Sequence, residues 1–335
     1  MLTLESDGFR TFLIHMRDAH PVERNNPFIL EAIRPKRVVF IVNPNSGTRM
    51  QAKIKESIER YLNHRKFEYG IWYTERPGHA TELARKAVAD GFEIVVAVGG
   101  DGSINEVATG LLHTDVALGI VPAGSGNGLA MHLGYGRKID EAIKKLNSAE
   151  CKLMDCGALN GRPFVNVAGI GFDGLVSNLM QNQTKRGFFP YFIRSIKAGL
   201  EYISKPCELL LNGQSIHENC FVVTVANGSM YGYNVSIAPD ARMDDGLFSV
   251  VVLKEAPRWQ YFMAMPSVMT GRIFKENFVH HYATNELIIK SEGDNFIHFD
   301  GEGSTHNGDL HFTMLPKSLK IMLPREAPYS VSTTS

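Results

Sequence analysis

The chain has no net charge: 35 Lys and Arg are balanced by 35 Asp and Glu across 335 residues. That removes the global basic field with which a nucleic-acid-binding protein gathers phosphates, so nucleic acid is not expected as a partner. Any polyanion must meet a local site. Cysteine is scarce. Cys151, Cys156, Cys207 and Cys220 have neither the density of a secreted disulfide scaffold nor two metal-style Cys-x-x-Cys pairs, which points to a reducing compartment. No apolar run approaches the roughly 18 residues of a spanning helix. The N-terminus carries Glu5, Asp7 and Arg10 ahead of its short apolar stretch and lacks the charged-then-apolar order of a secretion signal. Three reactive signatures are missing as well: the P-loop Gly-x-x-x-x-Gly-Lys-Ser/Thr, the Gly-x-Ser-x-Gly nucleophile elbow and His-Glu-x-x-His.

What is present is an ordinary globular composition, 44% hydrophobic and 21% charged, in a length that suits about two domains. Residues 1–35 read as an N-terminal extension. From 36 to 150 short apolar strands alternate with helical patterns: Val38–Asn43, Ile71–Thr74, Glu93–Val98 and Ala117–Val121 are strand-like. Between the first two, Met50, Ile54, Ile58 and Leu62 recur four apart and predict a helix over 49–63. Helices are also expected over 79–90 and 103–112. Such alternation predicts a parallel sheet covered by helices. From 151 to 323 strand-like runs dominate, among them Phe164–Ala168, Cys220–Ala226, Phe248–Leu253, Glu286–Lys290, Phe296–Phe299 and Leu319–Met322. Asn212-Gly213 and Asn307-Gly308 are hairpin signals between them, and helical patterns interrupt over 172–204 and near 257–270. The second half is therefore expected to be an antiparallel β-sandwich, followed by a tail over 324–335.

Three glycine loops end predicted parallel strands: Asn43-Pro44-Asn45-Ser46-Gly47, Gly99-Gly100-Asp101-Gly102-Ser103 and Pro122-Ala123-Gly124-Ser125-Gly126-Asn127. Ligands of open α/β sheets bind beyond the carboxyl ends of the strands. Glycines there let backbone N–H groups approach a phosphate, and the following helix N-termini add partial positive charge. One such loop is as well explained as a tight turn; three converging loops point to phosphate. Asp101 among those amides needs a cation or a proton transfer to offset its charge, and a Mg-nucleotide supplies the cation. Gly169-Ile170-Gly171-Phe172-Asp173-Gly174 imitates a dinucleotide fingerprint, but it lies in the β-rich half without a βαβ unit and is better read as a turn that aims Asp173 into the cleft. Asp244-Asp245-Gly246 and Asp300-Gly301-Glu302 place paired carboxylates at turns. Solvated turns explain either one alone; alternatively Asp244 and Asp245 with nearby carbonyls suit Mg²⁺, and Glu302 suits a general base if it comes near Asp101. His79 fits a helix-capping or helix-orienting role.

Taken together, these motifs resemble the lipid kinases with a diacylglycerol-kinase catalytic domain, a family that also includes sphingosine and ceramide kinases. The resemblance rests on Asn43–Gly47, Thr74-Glu75 with His79-Ala80, Gly99–Glu106, Pro122–Asn127, Gly171–Asp173, Asp244–Gly246 and Asp300–Glu302, in family order over about residues 36–323. It implies an NAD-kinase-like three-layer α/β nucleotide domain followed by an antiparallel β-sandwich domain, with the active site in the cleft between them. It further implies ATP contacts at Asn43, Thr74, Gly100, Asp101, Gly102, Ser103 and Ser125. Glu302, Asp101 and Asp244 are the implied catalytic carboxylates, with Glu302 or Asp101 as proton acceptor. A structural divalent ion is implied at Asp245 with the carbonyls of Arg242 and Leu247. Ser103 and Ser125 stand where many bacterial relatives have threonine, which keeps the hydroxyl.

The expected function is thus ATP- and Mg²⁺-dependent phosphorylation of a lipid hydroxyl, on diacylglycerol or a sphingosine-like base, by a cytoplasmic protein in peripheral contact with a membrane. A homodimer stays open. Residues 185–205 carry Lys185, Arg186, Arg194, Lys197 and Lys205 against Glu201, interleaved with Phe188, Phe189, Tyr191, Phe192 and Ile193. That mixture suits either an anionic surface or a core helix with a basic face in water. Two competing readings are a kinase of a soluble substrate such as NAD and a non-catalytic nucleotide sensor.

Overall fold

A computed structural model describes residues 34–46, 50–181, 199, 201–232, 235–325 and 327. Residues 1–33 of the expected N-terminal extension, the tail beyond 327 and residues 185–198 of the basic aromatic stretch lie outside the described residues.

The first half builds from buried apolar runs. Strands β1 (Lys36–Val42), β2 (Phe67–Tyr73), β3 (Ile94–Gly99) and β4 (Ala117–Pro122) pair in parallel in the order β4-β3-β1-β2. Every residue of β3 and β4 is buried, because helices cover both faces of the sheet. These are α1 (Met50–Tyr61), α2 (His79–Ala89), α3 (Asp101–Leu111) and α5 (Ile139–Leu146), with the short α4 (Gly128–His132) before the last. Ile54, Ile58 and Leu62 of the predicted stripe are all buried. The chain leaves β1 toward β2 on one side and β3 toward β4 on the other. The crevice between the carboxyl ends of β1 and β3 is therefore the switch point at which an open α/β sheet binds its ligand.

The second half encloses its own core. β5 (Glu150–Leu159), β6 (Arg162–Phe164), β7 (Val167–Gly171), β8 (Lys205–Leu211), β9 (Gln214–Ala226), β12 (Phe248–Lys254), β13 (Val279–Thr284), β14 (Glu286–Lys290), β15 (Asp294–Phe299), β16 (Glu302–Asn307) and β17 (Leu310–Leu323) pair antiparallel, and β10 (Met230–Gly232) with β11 (Val235–Ser236) forms a separate ribbon. Phe164 stacks on Phe248 at 5.7 Å and meets Phe312 edge-on at 6.3 Å. All three are fully buried, and each contributes about 2–3 kcal/mol by removal from water. Helix α6 (Phe172–Gln181), and the short helices α7 (Arg258–Met263) and α8 (Met265–Met269), lie outside the strands.

Strand β17 ties the halves together. Its first part pairs with β14 and β5, and its last part with β5 and, at Ile321, with Leu118 of β4. Leu319, Ile321, Met322 and Leu323 thereby belong to the core of the first half.

The structure departs from the expected elements in definite places. Phe164–Ala168 divides between β6 and β7; β5, β8, β13 and β16 were not expected; and β17 extends well beyond Leu319–Met322. Asn212-Gly213 makes the expected β8–β9 hairpin, with Leu211 opposite Gln214 and positive φ at both turn residues. Asn307-Gly308 does not make a hairpin: β16 pairs with β15, and the turn passes the chain on to β17.

Candidate active site

Helix α3 begins immediately after β3, and its first two turns are bonded to each surrounding loop. Ser103 Oγ accepts from Asn43 Nδ2 at 3.0 Å across the β1/β3 crevice. Asn43 Oδ1 accepts the Asn45 amide at 3.0 Å, closing the loop after β1. Glu106 accepts the amides of Gly78 and Ala80 at 2.8 and 3.1 Å. It thereby caps α2 from a neighbouring helix, a place where α2 has no side-chain cap of its own. His79 does not cap that helix: its Nδ1 accepts the Glu75 amide at 3.1 Å and orients the loop that follows Thr74. The amide of Thr74 is bonded to Val42 O, at the end of β1.

The second and third glycine loops touch. A Cβ on Gly124 would lie 2.4 Å from Gly100 Cα, so only glycine permits the approach. Asn127, at φ 54°, closes its own loop by accepting from Gly124 N and donating to Gly124 O at 2.9 and 2.8 Å. Ser125 sits exposed at the tip.

Two carboxylates face these loops. Asp101 Oδ1 accepts the Leu129 amide at 3.2 Å, and the amides of Gly128 and Asn127 also point at the carboxylate. Burial nevertheless outweighs them, and with Asp300 nearby the Asp101 carboxyl is pushed up to about 6. Glu302 comes from the second half. Asp300-Gly301 is a two-residue turn with φ 47° and 87° that joins β15 to β16 with Phe299 opposite Glu302. It sets Glu302 Oε1 3.0 Å from where a Cβ on Gly102 would be, next to Asp101 in the chain. Glu302 Oε2 accepts from Arg162 Nη2 at 2.8 Å. Burial raises the Glu302 carboxyl affinity for a proton, Arg162 opposes the rise, and Glu106 and Asp300 add to it.

Asp300 itself is buried and structural. Its carboxylate accepts the amides of Val165, Asn166 and Val167, each at 2.9 Å, and Asn105 Nδ2 at 2.6 Å. The last bond fastens α3 to the turn that carries Glu302. Arg162 and Asn166 were not signalled by the sequence; Asn105 lay inside a quoted motif without a role.

Asp244 and Asp245 lie in a second electrostatic group. Arg242 meets Asp244 at 3.1 Å, and Asp245 Oδ1 accepts the Leu247 amide at 3.0 Å. Asp155, 1% exposed, accepts Gly246 N and Lys317 N at 2.8 and 2.7 Å. The charges of Asp155 and Asp244, after burial, raise the proton affinity of Asp245. Asp155 was not expected; an aspartate within the apolar run Leu153–Cys156 was its one signal. Asp173 lies in the first turn of a helix and not on the expected turn. It is the second residue of α6, and its Oδ2 accepts from Tyr231, whose backbone abuts Gly128 of the first half, at 2.7 Å and lies 3.0 Å from His298 Nε2.

Residues 37–159 match the family model of the diacylglycerol kinase catalytic domain, and residues 166–323 match that of the YegS C-terminal NAD kinase beta sandwich-like domain. The chain belongs to the diacylglycerol-kinase catalytic-domain family of lipid kinases. Curated relatives in this kinase family include a diacylglycerol kinase of Bacillus subtilis, 26% identical over 302 residues, covering 87% of this chain and 97% of the relative. Another is a diacylglycerol kinase of Staphylococcus carnosus, 25% identical, covering 87% and 96%. Among solved structures, a diacylglycerol kinase of Bacillus anthracis superposes with a TM-score of 0.69 at 22% identity, covering 87% of this chain and 98% of that one. An NAD kinase of Archaeoglobus fulgidus in complex with ATP superposes at 0.51 and 13% identity, covering 87% and 95%. The fold of the family is thus an NAD-kinase-like α/β domain followed by a β-sandwich, as the motif order implied.

A divalent ion fits the chemistry of both acidic groups in this kinase. Asp101 is a largely buried carboxylate held by neutral amides, and Asp245 is crowded by two further carboxylates against the single guanidinium of Arg242. Among the described residues, no three His, Cys, Asp or Glu side chains are preassembled around one point. Mg²⁺ suits such sites, since it keeps waters and substrate phosphates alongside one or two carboxylates.

Proposed function

We propose that this kinase transfers the γ-phosphoryl group of ATP, with Mg²⁺, to the hydroxyl of a membrane lipid, diacylglycerol or a long-chain base. The observation that carries this reading is Glu302 lying against Gly102 of the glycine loop, with Arg162 occupying one of its oxygens. Oε1 is left for an acceptor hydroxyl beside the loop in which phosphates are expected.

The acceptor oxygen attacks Pγ as the bond from Pγ to the ADP oxygen breaks, and the hydroxyl proton passes to Glu302 Oε1. Burial raises the basicity of Glu302 above that of an ordinary carboxylate, and the Arg162 guanidinium opposes that rise. The amides after Gly99 and the N-terminus of α3 receive the phosphate oxygens. The Asn43–Ser103 bond holds the crevice at the width set by β1 and β3. Asp101 is the group that would hold a divalent ion beside the glycine loops, whose charge would neutralise phosphate oxygens, and Asp245 with the carbonyls of Arg242 and Leu247 would hold a structural one.

Purified protein incubated with γ-labelled ATP and Mg²⁺ should label one member of a panel of diacylglycerol, sphingoid bases, ceramide and NAD. Labelling of NAD alone would replace the lipid reading with the soluble-substrate one. ATP binding without transfer to any member would favour a nucleotide sensor.

A further inference from the structure

The segment from Ala256 to Lys275 carries apolar side chains that the fold does not use. Tyr261 of α7 and Ala264 just after it turn inward: Tyr261 stacks on Phe221 at 4.2 Å, meets Phe278 edge-on at 5.2 Å and donates to Lys254 O, and Ala264 is buried. The opposite face of the same helix is apolar too. Trp259, Phe262 and Met263, spaced i, i+3 and i+4, form one outward stripe, with Trp259 64% and Met263 71% exposed. Met269 of α8 is half exposed. Arg258 donates to Tyr202 O, which brings the chain at Ile203, 78% exposed, beside the start of α7. A monomer gains nothing by presenting these groups to water, and a grouped set of this kind marks a contact surface.

Charge selects the occupant. Residues 256–275 contain Arg258, Arg272 and Lys275 and no Asp or Glu, and Arg272 and Lys275 are exposed. The chain on either side is acidic: residues 234–255 and 276–310 together hold eleven Asp and Glu against three Lys and Arg. Glu255 and Glu276 adjoin the segment at its two ends, Glu276 accepting from Ser267 of α8, so the three cations outnumber the two acids. An aromatic and methionine stripe with this net positive surround is complementary to an anionic bilayer, where Trp settles at the headgroup level and Lys and Arg meet lipid phosphates. A second copy of this chain would bring like charge to like.

We infer that the α7–α8 face, led by Trp259, Phe262 and Met263, is the surface with which this protein docks on an anionic membrane. This rests on the proposed lipid acceptor, and it adds which face meets the bilayer. Only two tryptophans exist, Trp72 and Trp259, and Trp72 packs edge-on to Phe92 in the first half. Quenching by brominated lipid therefore isolates Trp259.

The test uses the full chain with vesicles of phosphatidylcholine alone or with phosphatidylglycerol. Anionic vesicles should quench the wild type, Trp259→Phe should remove the quenching, and Trp259→Glu/Met263→Glu should weaken sedimentation with the vesicles by about tenfold or more. The double variant should still phosphorylate a short-chain, water-soluble lipid at the wild-type rate. Equal quenching by neutral vesicles, no quenching by either, or unchanged sedimentation of the double variant would overturn the assignment. So would a Trp259 spectral change that follows protein concentration without lipid, which would mark self-association. Docking without phosphorylation of any lipid would sink the acceptor reading and leave the docking face standing. Turnover of the soluble lipid without docking would do the reverse.

Discussion

Asp101 should make the free protein less stable than it could be, and the cost can be read from its pH dependence. The carboxyl is raised from 3.8 to about 6. A group whose folded affinity for protons is raised contributes stability below its unfolded value and loses that contribution as pH rises through the folded value. Ionised Asp101 therefore penalises the fold above pH 6, with a ceiling of about 3 kcal/mol at 1.36 kcal/mol per pH unit. Asp101 is not wholly closed to water, so we expect about 1–2 kcal/mol of that to develop between pH 4.5 and 8. Asp101→Asn removes the titration. The new amide also points an NH₂ toward one of the three backbone amides, which costs about 1–2 kcal/mol at every pH. The variant's stability relative to wild type should thus rise by about 1–2 kcal/mol from pH 4.5 to pH 8, whatever its starting sign. Urea denaturation without nucleotide or divalent ion at pH 4.5, 6 and 8 measures this. A stability difference that stays flat with pH would refute the claim that Asp101 is buried without charge compensation, and a falling one would mean that a cation had been overlooked.

Three other outcomes are expected. Glu302→Gln should lower kcat about 100-fold or more with little change in the KM for ATP or in the urea midpoint, since the half-exposed carboxylate acts on the acceptor proton. Gly124→Ala drives a methyl group to 2.4 Å from Gly100 Cα; titration calorimetry should find ATP binding weakened about tenfold or more in a protein that still folds. Asp300→Ala leaves three backbone amides and Asn105 without their acceptor, and urea unfolding should show a loss of about 3–6 kcal/mol.

The first half was legible because its signals are local. Apolar runs such as Ile94–Val98 are buried on both faces, and each is followed by a glycine loop and an amphipathic helix. The second half hid its strands for physical reasons. β16 is polar, Glu-Gly-Ser-Thr-His-Asn, because it is an edge held by one hairpin. β17 reads as broken because Pro316-Lys317-Ser318 sits at a shift of register, with Lys317 at φ 49°. Carboxylate types could be read from motifs, but their partners could not. Nothing near Arg162 foretells that β5 and β6 will carry it to Glu302, and the three amides that hold Asp300 lie more than 130 residues earlier. Asn105 and Glu106 stood in plain view in the motif after Gly99, yet their work, fastening α3 to Asp300 and capping α2, exists only once the helices have packed.

Strand β17 also dictates the order in which the chain can mature. The nucleotide sheet built from residues 36–122 has β4 at its edge until Ile321 reaches Leu118, and Tyr135, fully buried, has its hydroxyl partner in Met322 O. A ribosome that has delivered the first 150 residues has therefore made every glycine loop but not the strand that closes their sheet. The nascent first half waits with an open edge through the synthesis of some 170 further residues, counted from Glu150 to Ile321. Folding of the catalytic core is thereby tied to completion of the whole protein, and a prematurely ended chain would carry the phosphate loops without a finished sheet to support them.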